Sequence, residues 1–420
     1  MNKGIVWSDS MSGRKKRFVW LVCLALTVAL FGKPCTGKAE TKEGKEEQTK
    51  ETKNQQEISL TAPAAILVEA STGKVLYEKN ADEIREPASV TKVMTLLLAF
   101  EAIDSGKIKL SDTVTVSEHA ASMGGSQCFF EAGETQTVED MIKCIIISSG
   151  NDAAVAMGEH IAGSEEAFVK QMNEKAEQLG MKNTTFKNAC GLEAEGHVTT
   201  PRDIALMSRE LITKHPSVFQ YSTIWMDSIY HVTKRGKSEF GLANTNKFLK
   251  YYNGATGLKT GFTSKAMYCI SATARRDNMD LIAAVMGAPS SKERTQDVAK
   301  LMDYGFASYH IFRVELDGKS QELIPVKNGK KDTVVTRSAG DFLYLCQNEN
   351  TADIVKKTVY EKELAAPVKK GDKVGEIQFF YQEKQIGSVP VLSDETVLEA
   401  GFLDCLEKIG KKLIFSGMAS

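Results

Sequence analysis

The chain has 420 residues, 42% of them hydrophobic and 25% charged, with a formal net charge of −1. That length suggests two or three domains with a full apolar core, and the balanced charge leaves no electrostatic case for nucleic acid. Six histidines without metal-ligand spacing and eight cysteines without a C-x-x-C pair lead us to expect no metal and no other cofactor.

Residues 1–39 read as a signal peptide and are set aside from the fold. Arg14-Lys15-Lys16-Arg17 is its basic part, residues 18–31 its apolar part, and Gly37-Lys38-Ala39 a small-residue cleavage site. The apolar run is short for a membrane span, and Lys33-Pro34 does not suit lipoprotein processing at Cys35. Residues 40–57 are charged and nearly devoid of apolar side chains, which predicts a disordered linker. Cys23 and Cys35 fall in the leader, and the other cysteines are read as buried thiols rather than a disulfide framework.

The first chemical motif is Ser89-Val90-Thr91-Lys92. Residues 87–103, PASVTKVMTLLLAFEAI, open on a Pro suited to a first helical turn. They continue apolar all round, as a buried helix does. Ser89 then stands at the helix N-terminus, and Lys92 shares its face at i+3. The helix end favours developing negative charge, and a dry pocket destabilises an ammonium, so Lys92 is a candidate base.

The second motif, Ser149-Gly150-Asn151, interrupts MIKCIIISSGNDAAVAMGEHIAG, which reads as helix, break, helix. Read blandly, Gly150 is a C-cap and Asn151 or Asp152 an N-cap. The third motif is Lys259-Thr260-Gly261. It follows the turn-forming Asn253-Gly254-Ala255-Thr256-Gly257 and opens LKTGFTSKAMYCISATARR. With the apolar run MDLIAAVMGA this predicts a β-hairpin. Gly261, lacking a side chain, would let a peptide lie against the strand, and Lys259 would supply a fixed positive charge.

Beyond about residue 310 the pattern changes to short alternating runs, TVVTRS, FLYLC, KVGEIQFFY and KQIGSVPVL, which predict a small all-β domain over 311–393. Residues 394–420 read as an amphipathic helix. Leu398, Phe402, Cys405, Leu406, Ile409 and Leu413 form one stripe, with Lys408, Lys411 and Lys412 opposite. This suits either an interfacial membrane anchor or a helix packed on the β domain.

Each motif alone is commonplace. Their order and contexts resemble the S-x-x-K, S-x-N, K-T-G signature of penicillin-binding proteins and serine β-lactamases. More closely, the chain resembles a low-molecular-mass penicillin-binding protein, a serine-type D-alanyl-D-alanine carboxypeptidase of the peptidase S11 type, over residues 58–310. Supporting stretches are Ala65-Ile66-Leu67-Val68 with Gly73-Lys74-Val75-Leu76-Tyr77 as an N-terminal hairpin, Asn80-Ala81-Asp82, and the His197…Asp203 segment leading into an amphipathic helix. In Lys259-Thr260-Gly261-Phe262-Thr263 the chain has Phe262 where the family commonly has His.

The resemblance implies an α+β fold of the penicillin-binding and serine β-lactamase type. An antiparallel sheet covered by helices would adjoin an all-helical subdomain, followed by the β domain and the C-terminal helix. It implies that Ser89 attacks the D-Ala–D-Ala carbonyl of a peptidoglycan stem peptide and that Lys92 takes its proton. Ser149 and Lys259 would serve the leaving group, and Asn151 the substrate backbone. Thr260 or Thr263 would bind the terminal carboxylate beside Gly261, with Arg294 as a further candidate. The Ser89 and Phe262 N–H groups would form the oxyanion hole. β-Lactams would acylate Ser89, and the enzyme would work on the extracytoplasmic face of the bacterial membrane or in the cell wall.

A class A β-lactamase is the alternative enzyme. It needs a Glu in an E-x-x-L-N setting, and the stretch between His197 and Asp203 offers none. A non-catalytic β-lactam sensor would need a transmembrane signalling partner domain, which is not visible. An endopeptidase would use the same chemistry.

Overall fold

The computed structural model describes residues 58–416 apart from 317, 319, 348–350 and 362. The signal peptide and linker expected over 1–57 lie outside the described residues.

Five strands build the central sheet. They are β1 (Ala64–Glu69), β2 (Val75–Lys79), β3 (Ala255–Thr263), β4 (Met267–Arg276) and β5 (Met279–Ala288), in the order β2-β1-β5-β4-β3 with every pairing antiparallel. β1 and β5 are apolar almost throughout because both faces of the sheet are covered. Alternate residues feed two cores, as strand geometry requires. Ile66, Val68, Ile282 and Ala284 belong to one core, and Ala65, Leu67, Leu281 and Ala283 to the other.

The N-terminal hairpin forms as expected. The single hairpin expected at the third motif is instead a three-stranded meander. The chain turns at residues 264–266 and again at Asp277-Asn278. Both residues of the second turn have positive φ, 46° and 63°, matching a two-residue hairpin turn. The first turn was hidden because Ser264-Lys265-Ala266 carries no Gly, Pro, Asn or Asp.

Five helices matter for the site: α1 (Lys92–Asp104), α2 (Asn151–Ala162), α3 (Glu165–Gln178), α4 (Pro201–Lys214) and α5 (Ser291–Ser308). α4 lies on one face of the sheet through Ile204 and Met207, and α5 covers the other through Val298, Leu301 and Met302. α1 is buried all round, as its sequence predicts. The subdomain is not all-helical. Two short antiparallel pairs, Thr113–Thr115 with Thr135–Thr137 and Met226–Thr233 with Gly236–Ala243, accompany its helices.

The expected β-rich module is present as a six-stranded sheet plus a two-stranded one. Thr333–Ser338, Phe342–Cys346, Lys373–Tyr381 and Lys384–Ser393 are the four runs read from the sequence. Its core is centred on Phe342 stacked on Phe379 at 3.8 Å between ring centroids. The last helix begins only at Phe402 and runs to Ser416. Before it, Val397 exchanges backbone hydrogen bonds with Val368, so Leu398 lies outside the helix to which the sequence stripe assigned it. Cys405 is exposed on that helix, against the expectation of a buried thiol, whereas Cys128, Cys144, Cys190, Cys269 and Cys346 are buried.

Candidate active site

The site begins where a 3-10 turn, Ala88–Thr91, runs into α1. Ser89 sits in that turn and Lys92 is the first residue of α1. The Lys92 side chain is fully buried. Its Nζ lies 3.1 Å from Ser89 Oγ, 2.6 Å from Asn151 Oδ1 and 2.7 Å from the Cys190 carbonyl. Burial pushes its pKa down to about 8, against a partial opposing pull from Cys190, Asp152 and Cys128.

The start of α1 is pinned from behind by His197, whose Nε2 is 2.8 Å from Thr91 Oγ1. Lys187 N donates to His197 Nδ1 at 3.1 Å, which makes Nε2 the protonated nitrogen. Burial lowers this imidazole to about 4. Asp203 accepts from Asn183 N and Thr184 Oγ1. The His197…Asp203 segment therefore braces the turn that carries Ser89.

At the second motif the chain passes through a π-helical turn, Cys144–Ser148. Ser149 then adopts the left-handed conformation, φ 62° and ψ 30°. The sequence placed Gly150 at this cap. Gly150 is instead the N-cap of α2, and its lack of a side chain answers crowding: a Cβ there would meet Asp152 Oδ1 at 2.9 Å and Cys128 Sγ at 3.0 Å. A serine held in a sparsely populated conformation next to a π turn is a combination frequent at functional sites and makes Ser149 a candidate. Asn151 bridges inward, accepting from Lys92 and donating from Nδ2 to the Gly124 carbonyl at 2.7 Å.

The third motif lies on β3. Lys259 is buried, and its Nζ donates to Ser149 Oγ at 2.8 Å and to its neighbour's carbonyl, Thr260 O, at 3.0 Å. Burial first, then repulsion from Lys92 and Arg294, holds its pKa well below the ordinary lysine value. The expected fixed positive charge is thus opposed by its surroundings, because no carboxylate among the described residues pairs with it to offset the desolvation. Thr260 Oγ1 pairs with Thr245 Oγ1 at 2.9 Å, and Thr263 Oγ1 accepts from Ala266 N at 3.1 Å. Gly261 is needed for a different reason from the one read in the sequence. A Cβ there would meet Ser89 N at 2.9 Å and Pro87 O and Val90 N at 3.0 Å, so the bare face of the strand lies on the Ser89 turn. Phe262 points outward, half exposed, and packs on Tyr268 with centroids 4.4 Å apart.

Arg294 is buried in the first turn of α5. It donates to Cys269 O at 3.2 Å and Ser291 Oγ at 3.3 Å, and its Nε has no partner among the described residues. The structure thus places two hydrogen-bonded sets in electrostatic contact, Ser89–Lys92–Asn151 and Ser149–Lys259, with Gly261 against the Ser89 turn. Sequence reasoning missed the Cys190 carbonyl, a backbone acceptor with no side-chain signal. It also missed Gly191, whose φ of +89° and notional Cβ 1.9 Å from Ala88 O show how tightly that loop abuts the turn.

The chain matches the family model described as D-alanyl-D-alanine carboxypeptidase over residues 49–290, and the model for the penicillin-binding protein 5 C-terminal domain over 313–399. It is 43% identical to the D-alanyl-D-alanine carboxypeptidase DacF of Bacillus subtilis, across 85% of this chain and 91% of that protein. With DacC of Escherichia coli the identity is 35%, across 82% and 86%. The crystal structure of penicillin binding protein 5 from Haemophilus influenzae superposes with a TM-score of 0.70 at 30% identity, covering 82% of this chain and all of that one. Fold and comparisons define a penicillin-binding protein with an α/β catalytic domain and a separate all-β C-terminal domain. The chain belongs to the D-alanyl-D-alanine carboxypeptidase family and is a serine-type carboxypeptidase hydrolysing D-Ala–D-Ala termini.

Proposed function

We propose that Ser89 is the nucleophile and Lys92 its base, acting on peptidoglycan stem pentapeptides. The observation that carries this is the buried Lys92 amine 3.1 Å from Ser89 Oγ, with a pKa lowered to about 8. Ser89 Oγ attacks the carbonyl carbon between the two D-Ala residues, and its proton passes to neutral Lys92. The Ser89 and Phe262 N–H groups receive the oxyanion, a reading supported by the close approach of Gly261 to Ser89 N. Collapse breaks the C–N bond, and the leaving amine takes a proton through Ser149 and Lys259, which are linked at 2.8 Å. Water then cleaves the ester and releases the shortened peptide. Asn151 orients the substrate. Thr260, Thr263 and the Arg294 guanidinium, whose Nε has no partner among the described residues, are the candidates for the terminal carboxylate. A β-lactam would stop at the acyl stage on Ser89.

The decisive experiment treats the protein with a stem pentapeptide and with a labelled penicillin, followed by mass analysis. Loss of one D-Ala and an adduct on Ser89 support the reading. An adduct on another serine, or a Ser89→Ala protein that still releases D-Ala, overturns it.

We further infer that residues 1–39 direct export, that 40–57 tether the catalytic region 58–310, and that the chain works outside the cytoplasm. No helix among the described residues is long and apolar enough to cross a membrane. Peripheral attachment through the C-terminal helix is supported by Phe402 and Leu403, which are 79% and 78% exposed, and by the exposed Leu406 and Ile409.

A further inference from the structure

The Lys92 amine has three polar neighbours, and they differ in kind. Asn151 Oδ1 at 2.6 Å and the Cys190 carbonyl at 2.7 Å can only accept. Ser89 Oγ, at 3.1 Å, can also donate. A neutral amine carries two N–H bonds and one lone pair. With both N–H bonds taken by the two acceptors, the tetrahedral nitrogen turns its lone pair toward the Ser89 hydroxyl. The Cys190 carbonyl therefore sets the rotation of the base, and whatever holds that carbonyl matters for proton transfer.

Asn188 is at the centre of that loop. Its Oδ1 accepts from Cys190 N at 3.2 Å, Gly191 N at 2.7 Å and Leu192 N at 3.2 Å, while Nδ2 donates to Leu192 O at 2.9 Å. The neighbouring Ala189 is fastened on both sides, its N–H to Glu165 Oε1 at 2.9 Å and its carbonyl by Thr95 Oγ1 at 2.6 Å. One side-chain oxygen gathers three successive N–H groups and so turns the intervening carbonyls away from itself. Gly191 then abuts Ala88 O, which leaves the loop no room to rotate.

We propose that Asn188 is a positioning residue for acylation: through the Cys190 carbonyl it fixes the Lys92 amine so that its lone pair faces Ser89. This rests on the reading of Lys92 as the base. Asn188 touches no reacting atom, so its loss should slow proton transfer and leave substrate affinity nearly alone.

The test measures penicillin acylation rate, labelled fraction and peptide KM for Asn188→Ala, Asn188→Asp and Lys92→Met beside the unchanged protein. Asn188→Ala should still label one equivalent per chain, but about 100-fold more slowly, the scale of loss expected from an ångström-level misplacement. Its KM should be little changed. Asn188→Asp keeps an acceptor oxygen for the three N–H groups and should recover most of the rate. Normal acylation by Asn188→Ala, with Lys92→Met inactive, overturns the proposal and spares the base assignment. A slow rate fully explained by a smaller labelled fraction, or not rescued by Asp, reduces Asn188 to a merely structural role and overturns it too. Normal acylation by Lys92→Met removes the base and this inference together.

Discussion

Lys92 and Lys259 are both buried in the same site, and the positive charge on Lys92 opposes the charge on Lys259. Two lysines cannot both be comfortably ionised in a dry pocket where Asp152 acts on Lys92 without pairing with it and no carboxylate among the described residues bridges to either. Both are held below the ordinary lysine range, and their partners separate their roles: Lys92 lies 3.1 Å from Ser89 Oγ, and Lys259 donates to Ser149. Lys92, lowered to about 8, is suited to lose its proton. Lys259, bonded to Ser149, gains most from a substrate carboxylate that arrives to balance it.

The pH dependence of acylation follows. A base works in its neutral form, so the rate should rise with pH up to about 8, where Lys92 titrates. Burial and the charges on Lys92 and Arg294 hold Lys259 below the ordinary lysine range, so the peptidase rate should fall where Lys259 loses its proton. Arginine stays charged, so Lys259→Arg should remove that fall while retaining activity. Lys92→Arg should lose about 10²- to 10⁴-fold, the usual range for a general base. Rate profiles of both variants between pH 5 and about 11 check this, and equal residual activities would contradict the division of roles.

The glycines around Ser89 provide a steric test. Gly261→Ala puts a methyl group 2.9 Å from Ser89 N, and Gly191→Ala puts one 1.9 Å from Ala88 O. In both cases the obstacle is backbone that cannot step aside. Each substitution should cost about 1–3 kcal/mol of stability as overpacking, with Gly191→Ala the worse because it also strains φ. Both should slow acylation by displacing the turn. Gly241→Ala, with nothing within 4 Å, is the control and should be neutral in both denaturant melts and penicillin labelling.

The three motifs were legible as one site because their residue types and order restrict the chemistry strongly. The structure joins Lys92 to Ser89 and Asn151, and Lys259 to Ser149, by direct hydrogen bonds. The run that is apolar all round likewise disclosed the buried α1, and alternation disclosed the strands of the β domain. What stayed hidden depends on backbone. The Cys190 carbonyl carries no letter-specific signal. The left-handed Ser149 stands where Gly150 was the natural choice, and the turn at residues 264–266 has no Gly, Pro, Asn or Asp. The direction of the bare face of Gly261 follows from strand register against the Ser89 turn, which only the assembled sheet defines.

His197 links the fold to acidity. Its buried imidazole titrates near 4 rather than 6.5. Between those values the unfolded chain binds a proton that the folded chain refuses, so stability falls as pH drops through that window. The loss attributable to this residue is up to about 3 kcal/mol, taking 1.36 kcal/mol per pH unit. Urea melts at pH 7 and at pH near 4.5 should show the decline. It should be smaller in His197→Gln, which cannot be protonated. An identical decline in that variant would assign the acid sensitivity to other groups.

The C-terminal helix sets the last prediction. Residues before Phe402 belong to the β domain, since Val397 pairs with Val368 and Glu399 bridges to Gly329. On the helix, Lys408 does not face outward as the sequence stripe suggested. It binds the Gly329 carbonyl at 2.7 Å and pairs with Asp332, while Asp404 lies 3.4 Å from Lys330. These polar contacts hold the helix base on the domain and leave Phe402, Leu403, Leu406 and Ile409 in solvent. An apolar face held outward is what an interfacial anchor requires, and a single such helix binds reversibly. A chain ending at Gly401 therefore keeps the β domain whole and should no longer sediment with anionic liposomes. The longer chain, with its leader removed, should sediment. Leu406→Glu with Ile409→Glu should release the full-length helix as truncation does, because charge on the inserted face costs more than the attachment provides. Equal sedimentation of all three forms would sink the anchor and favour a helix serving only the β domain. Hydrolysis of a soluble pentapeptide should be the same in each, since Ser89 and its partners lie outside the altered segment.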